Sequence, residues 1–507
     1  MLKRVLTSTI SGLDAVPVQV EVEISKGKGC FTIIGLADNA VRESRDRVVT
    51  ALKLACFRLP ERILVNLAPA ELKKEGAGFD LPIAIGILCA SGQVTLPDPD
   101  TIILHGELGL GGELKPVRGV VALAVEAKQR GAKELIVPVE NADEAALVSG
   151  ITVRAAGTLL DVVHHLRGRP ISAWIRSSPI TQSTNELLVS DVWGQEFAKR
   201  ALMITAAGGH NMLMVGPPGC GKSMLAERLA SLLPPLSEAE ILEVMRVQSI
   251  AGVCARSTLQ GVRPFRAPHH TLSEAGLIGG GSNPRPGEIS MAHHGVLFLD
   301  EFPEFRRGAL EALRAPLEAG KVRITRAKAS ILMPARFQLV AAMNPCPCGR
   351  LGAKGQQCRC TRAAVYSYLR KLSQPILDRI DVQVELDKVP LNGIKEVPRA
   401  ELLQREQVLR QSVLAARAIQ FQRQGKSNAL LHAQELHRAA PLTERARKLL
   451  ESAVDRLDLS ARGYSRLIRV ARTIADFAAE EEIKPEVVAE ALQLRSLERI
   501  EQYCAAA

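Results

Sequence analysis

Gly216-Pro217-Pro218-Gly219-Cys220-Gly221-Lys222-Ser223 decides the reading of this 507-residue chain. An apolar run, Met212-Leu213-Met214-Val215, precedes it, and a helical pattern, Met224 to Ala230, follows. Strand, Gly-rich loop and helix with G-x-x-x-x-G-K-S spacing make a phosphate-binding loop. The glycines let backbone N–H groups close around phosphate oxygens, and the helix N-terminus favours negative charge. In such a loop Lys222 reaches the β/γ-phosphates and Ser223 holds Mg²⁺, so the expected ligand is a nucleoside triphosphate.

Two further apolar runs end in polar residues. Val296-Leu297-Phe298-Leu299 leads into Asp300-Glu301, and Phe337 to Met343 leads into Asn344-Pro345. Buried parallel strands read as continuous hydrophobics, and their C-terminal ends face the ligand crevice. Asp300 is thereby placed for Mg²⁺ and Glu301 for polarising the attacking water; Asn344 is placed to orient that water against the γ-phosphate. Arg379 stands between Asp378 and Asp381. Two readings stay open for it, a local ion pair and an arginine finger acting across a subunit boundary.

Composition bounds the remainder. Hydrophobic content is 47%, which is globular, and no apolar run is long enough to span a membrane. The start of the chain has no secretory h-region. The formal charge of +11 suits a polyanionic partner without demanding one. Ten cysteines form no secreted disulfide pattern, which points to the reducing cytoplasm. Cys30, Cys56 and Cys89 lie in apolar contexts and are expected to be small buried hydrophobes. Cys346, Cys348, Cys358 and Cys360 bracket a glycine-containing loop and suit a tetrahedral Zn²⁺; free thiols and an iron–sulfur site are the alternatives. His269-His270 and His293-His294 are read as loop structure or DNA contacts, because adjacent side chains diverge and no carboxylate cluster accompanies them.

Residues 1–166 mix strands and helices, 167–190 read as a Ser/Thr/Pro-rich linker, 191–390 alternate strand and helix, and 391–507 are almost wholly helical, with Pro441 and Gly463 as punctuation. Arg462, Arg466, Arg469 and Arg472 share one broad helix face, at least two of them expected in solvent. Val322 to Ile331 alternates like a hairpin strand carrying Arg323, Arg326 and Lys328.

The P-loop, Pro286-Gly287-Glu288-Ile289-Ser290 leading into Val296–Glu301, Ala341–Pro345, and Leu377-Asp378-Arg379 together resemble the magnesium-chelatase-like branch of the AAA+ ATPases. Across nearly the whole chain the resemblance is to the ComM/YifB family. It implies an α/β architecture: an N-terminal Lon-protease/S5-like α+β domain, a central AAA+ P-loop domain with a four-cysteine insertion at 346–360, and a C-terminal helical lid. It implies that Lys222 and Ser223 are Walker A, Asp300 and Glu301 Walker B, Asn344 sensor 1, Arg379 the finger and Arg462 sensor 2. A homohexamer working on single-stranded and branched DNA follows from the same resemblance, with branch migration in natural transformation as its task. Arg323, Arg326 and Lys328 then belong to a pore hairpin that grips phosphates irrespective of sequence. The Lon-like segment has Phe79-Asp80 at the expected nucleophile and Val120-Val121 at the expected Lys, so proteolysis is not expected. Metal insertion into a tetrapyrrole and an ATP-gated DNA scaffold without translocation remain as alternatives.

Overall fold

The computed structural model describes residues 2–27, 29–176, 187–253, 255–280, 285–326, 329–352, 357–389, 397–457 and 459–495. The chain begins with a hairpin: Leu2–Ser11 runs antiparallel to Asp14–Ser25, with Gly12 in the left-handed region at the turn. Alternation in the second strand buries Val18, Val20 and Val22 completely and turns Gln19 outward. The hairpin sits inside a seven-stranded mixed sheet, in the order Cys30–Ile34, Arg62–Ala68, Asp14–Ser25, Leu2–Ser11, Ile102–Leu104, Glu134–Pro138 and Thr152–Ala156. Helix Asp80–Ala90 is apolar almost throughout and buried along its whole length. Phe79 and Asp80 are also buried, and Asp80 is taken by the guanidinium of Arg47 at 2.6 Å, so no nucleophile stands there.

A five-stranded all-parallel sheet forms the centre of the chain. Its order is Phe265–Arg266, Val296–Leu299, Gln338–Met343, Met212–Val215 and Val382–Glu385. Both faces are covered, so Met212–Val215 and Val296–Leu299 are buried at every residue. Register fixes the edge that matters: Val215 lies opposite Met343 and Leu299 opposite Ala341. The P-loop, Asp300 and Asn344 therefore leave the sheet on the same side.

Helices follow from Arg399 onward: Arg399–Gln424, Ala433–Ala439, Glu444–Leu457, Ala461–Phe477 and Pro485–Gln493. Their apolar faces share one core with the central sheet, in which Leu467, Val470 and Ile474 meet Met212, Ile204 and Val382. Pro441 falls between helices, but Gly463 lies in the first turn of Ala461–Phe477, where its N–H donates to the Ser460 hydroxyl at 3.1 Å. Arg466 and Arg472 are 4% and 1% exposed, so half of the arginine face points inward; Arg469 is half-buried and Arg462 exposed. Their burial is compensated by carboxylates, Asp378 for Arg466 and Asp476 for Arg472, both at 3.0 Å.

The N-terminal sheet and the central domain touch through two helices. Val121, on Val120–Gln129, enters a cluster with Ile241, Val244 and Met245 of helix Glu238–Ala251. The Gly119 N–H donates to the Ser249 carbonyl at 3.0 Å, and Arg246 pairs with Asp14 at 2.6 Å. Part of the Ser/Thr/Pro-rich run is pinned down: the Trp174 N–H bonds the Val153 carbonyl and its indole reaches Asp143. Residues 177–186 of that run lie outside the described residues. Cys89 is buried as expected, but Cys30 and Cys56 are exposed, being at an edge strand and a helix end; Cys254 and Cys504 lie outside the described residues. Among the described residues, no helix is long and apolar enough to cross a membrane.

Candidate nucleotide site

The loop between Val215 and helix Lys222–Leu232 carries left-handed backbone at Gly219 and Gly221, each open above its Cα. A side chain at Gly216 would come within 2.6 Å of the Leu386 carbonyl, so the loop is narrow at its base and open at its rim. Lys222 is folded back beneath that rim. Its ammonium donates to the Gly216 and Pro217 carbonyls at 2.7 and 3.1 Å and to Asn344 Oδ1 at 3.2 Å. Burial pushes its pKa down from the ordinary lysine value.

Ser223 donates to Asp300 Oδ2 at 2.7 Å. A hydroxyl and a carboxylate that face each other across the strand tips are a hard-oxygen pair suited to Mg²⁺. Asp300 also accepts the Glu301 backbone N–H at 2.8 Å. Glu301 has φ of 51°, unusual for a residue with a side chain, which swings its carboxylate away from the strand axis. That carboxylate meets His270 Nδ1 at 2.9 Å. His270, read from sequence as loop structure or a DNA contact, thus stands against the candidate water-activating group. Its signal in the sequence was only its place a few residues beyond the short strand Phe265–Arg266.

Arg379 does not pair with the aspartates beside it. Its guanidinium turns to Glu318 and to the Pro375 carbonyl, leaving Nε buried without a hydrogen bond. Asp378 goes to Arg466 and Asp381 to His210, at 3.0 and 3.2 Å. Arg462 is on the same lid helix as Arg466, one turn nearer its N-terminus.

The four clustered thiols converge. Their sulfurs all lie within 4.8 Å of one another, with Cys346–Cys348, Cys348–Cys358 and Cys346–Cys358 at 3.4, 3.6 and 3.7 Å. A tetrahedral Zn²⁺ with bonds of about 2.3 Å has sulfur–sulfur edges of about 3.8 Å, so the donor set fits that ion. Backbone N–H groups of Leu351 and Cys360 point at Cys346 and Cys358 sulfurs, and those of Arg359 and Arg350 pull the Cys348 thiol down to about 6. Residues 353–356 of the loop lie outside the described residues. The loop also touches the nucleotide site: a Cβ on Gly349 would come within 2.6 Å of Pro218.

His293 and His294 lie in a turn, but the divergence and missing carboxylate expected of them do not hold. The left-handed backbone at His294 turns two successive imidazoles to one side, and both Nε2 atoms meet the same Glu243 oxygen at 3.0 and 2.9 Å. Because His293 Nδ1 accepts the Arg336 N–H at 3.0 Å, its Nε2 carries the proton and gives it to Glu243 rather than offering a lone pair to a metal.

The hairpin Lys321–Arg326 and Ala329–Pro334 is antiparallel, with Arg326 opposite Ala329. Val322, Ile324 and Met333 are buried, whereas Lys321 and Arg323 are exposed. Lys328 lies outside the described residues. The short pairing of Gly279–Gly280 with Arg285–Pro286 packs beside it, and a Cβ on Gly279 would strike Ile324.

Three family descriptions match in series: "Subunit ChlI of Mg-chelatase" over residues 20–141, "Magnesium chelatase, subunit ChlI" over 188–394, and "Magnesium chelatase, subunit ChlI C-terminal" over 404–495. The chain is 46% identical to competence protein ComM of Haemophilus influenzae over 498 residues, 97% of each chain. It is 44% identical to YifB of Escherichia coli K12 over 504 residues, 98% of each. A shorter likeness, 27% identity over 169 residues and 30% of each chain, links it to Lon protease 2 of Bacillus subtilis. End-to-end similarity of this kind, laid over a parallel P-loop sheet with a helical C-terminal region, makes the chain a member of the ComM/YifB family of magnesium-chelatase-like AAA+ proteins.

Proposed function

We propose that the protein is an ATP-hydrolysing motor that moves branched DNA, working as a hexameric ring of identical subunits. The observation that carries this is the meeting of Lys222, Ser223, Asp300, Glu301 and Asn344 at one edge of the parallel sheet, in a chain that also bears an exposed basic hairpin. The name of the Haemophilus relative, competence protein, agrees with work on incoming DNA.

In this reading ATP phosphates displace the loop carbonyls from Lys222, whose ammonium then neutralises β/γ charge. Ser223 and Asp300 would hold Mg²⁺, which would supply positive charge to offset that of the phosphates. Glu301 orients the attacking water and takes its proton, which requires it to release His270. Asn344 aligns the same water. Arg462 from the lid and Arg379 from the neighbouring subunit stabilise charge on the transferring phosphoryl group, the finger being worth about 10³–10⁵ in rate. Arg323, Arg326 and Lys328 hold DNA phosphates without reading bases. Cys346, Cys348, Cys358 and Cys360 would hold a structural zinc, which would tie the loop after Asn344 to the P-loop at Pro218.

The test is ATP turnover with and without single-stranded and four-way-junction DNA, paired with junction migration in ATP and in a non-hydrolysable analogue. DNA-stimulated turnover with hydrolysis-dependent migration supports the motor. Stimulation without migration leaves an ATP-gated scaffold, and no response to DNA removes the DNA reading.

A further inference from the structure

The segment Leu377–Asp381, which carries Arg379, is held almost entirely by groups outside it. From the lid helix Ala461–Phe477, Arg466 donates to the Leu377 and Ile380 carbonyls at 3.2 and 3.3 Å and pairs with Asp378 at 3.0 Å. The guanidinium thus grips the segment on both sides of Arg379. Thr473, two turns further along the helix, reaches it through His210, whose ring bridges the Thr473 hydroxyl at 2.8 Å and Asp381 at 3.2 Å. On the core side Asn211 donates to the Arg379 carbonyl at 2.8 Å. Arg466 and His210 are almost wholly buried, so these contacts are made in a dry setting where losing a partner is costly.

Arg462 and Arg466 are one helical turn apart, about 6 Å along the axis. The first is exposed and the second is interior, so a single rigid helix presents one arginine outward and clamps the Arg379 segment with the other.

We infer that Arg466 is a positioning residue for Arg379, making the lid helix the part that ties a subunit's own nucleotide to the finger it offers its neighbour. The inference rests on Arg379 acting in trans. When Arg462 follows bound ATP, the lid helix moves as a body and Arg466 carries Leu377–Asp381 with it. Occupied and empty subunits then present Arg379 differently, and hydrolysis at one interface depends on the nucleotide held next door. Arg466 touches no reacting atom and acts only through Arg379.

The experiment uses full-length chains mixed under subunit exchange. Arg466→Met alone should lower kcat about a hundredfold, the cost of an ångström-scale misplacement, with unchanged KM for ATP. Mixed with Lys222→Ala it should regain turnover, since its intact P-loop meets an intact finger from the other chain. Mixed with Arg379→Ala it should regain none, because both chains then lack a working finger. Arg466→Lys, which keeps the charge opposite Asp378 but not the fork, should be intermediate, and Asp378→Asn, which keeps an oxygen to accept from Arg466 but not the charge, should lower kcat in the same direction as Arg466→Met with unchanged KM. The double variant Arg379→Ala/Arg466→Met should be no slower than Arg379→Ala. Rescue of Arg466→Met by Arg379→Ala but not by Lys222→Ala, or a raised KM, would overturn the inference by assigning Arg466 to its own subunit's site. If Arg379→Ala itself gains nothing from Lys222→Ala, the trans reading fails and the neighbour coupling falls with it. The double variant still decides whether Arg466 acts through Arg379: equal rates keep that link, and additive losses remove it.

Discussion

His270 Nδ1 lies 2.9 Å from Glu301 Oε2, so the carboxylate proposed to activate water is engaged by a side chain of the neighbouring strand's loop. Water cannot occupy the same lone pair while the contact holds. His270→Ala should therefore raise ATP turnover in the absence of DNA, about fivefold for a partly exposed charge-assisted bond, and shrink the stimulation DNA gives. Basal turnover at or below the wild-type rate would mean that His270 supports Glu301 instead of restraining it.

Lys222→Ala and Glu301→Gln should separate binding from chemistry. The first removes the ammonium that points at the P-loop carbonyls and should abolish turnover. The second keeps shape and hydrogen bonding and should retain ATP while hydrolysing it at least about a hundredfold more slowly. Wild-type hydrolysis by Glu301→Gln would reassign the base.

Purified protein should contain about one zinc per chain, as a closed four-thiolate site requires. Cys358→Ser should lower that content. Because Gly349 abuts Pro218, chelation should also weaken ATP binding measured by a fluorescent analogue. Metal-free protein with full thermal stability and unchanged nucleotide affinity would refute the zinc site.

Replacing Arg323 and Arg326 with Ala should weaken DNA binding evenly across sequences and reduce the slope of log affinity against log salt by about 2, one counterion for each lost phosphate contact. DNA-free ATP turnover should survive. An unchanged salt slope would take the hairpin out of the DNA path.

Burial holds His105 neutral, its pKa pushed down from 6.5 to about 4, with Thr7 as its hydrogen-bond partner. As pH falls the unfolded chain takes up this proton first. The contribution is therefore intact above 6.5 and is lost between 6.5 and about 4, up to about 3 kcal/mol. The urea midpoint of wild type should fall through that window, and His105→Asn should show a flatter fall. Equal slopes would show that His105 does not control acid sensitivity.

The P-loop and Asp300-Glu301 were legible because each is a local pattern: in a parallel sheet, an apolar strand that ends in polar residues delivers them to the ligand crevice. The cysteine set was legible for the same reason, its two halves bracketing one loop. What escaped involves partners distant in sequence or unusual backbone. His270 and Glu301 meet only because two strands, Phe265–Arg266 and Val296–Leu299, are neighbours. Arg379 ignores the adjacent aspartates for Glu318, which lies far away in the sequence and carries no mark that would single it out. His293 and His294 converge because His294 takes φ of 55°, and alternation arguments assume it does not. Arg466 and Arg472 read as surface charge until the carboxylates that neutralise them inside, Asp378 and Asp476, are brought into contact.

Helix Glu238–Ala251 holds the N-terminal domain through Ser249 and Arg246, and through Glu243 it grips His293 and His294 at the root of the strand that leads into Asp300. It is a beam with a load at each face. A pull on the N-terminal domain reaches the foot of that strand through one carboxylate and two imidazoles, with only the short turn at 292–295 in between. Such a linkage makes the N-terminal domain a mechanical handle on the central sheet rather than a passenger beside it.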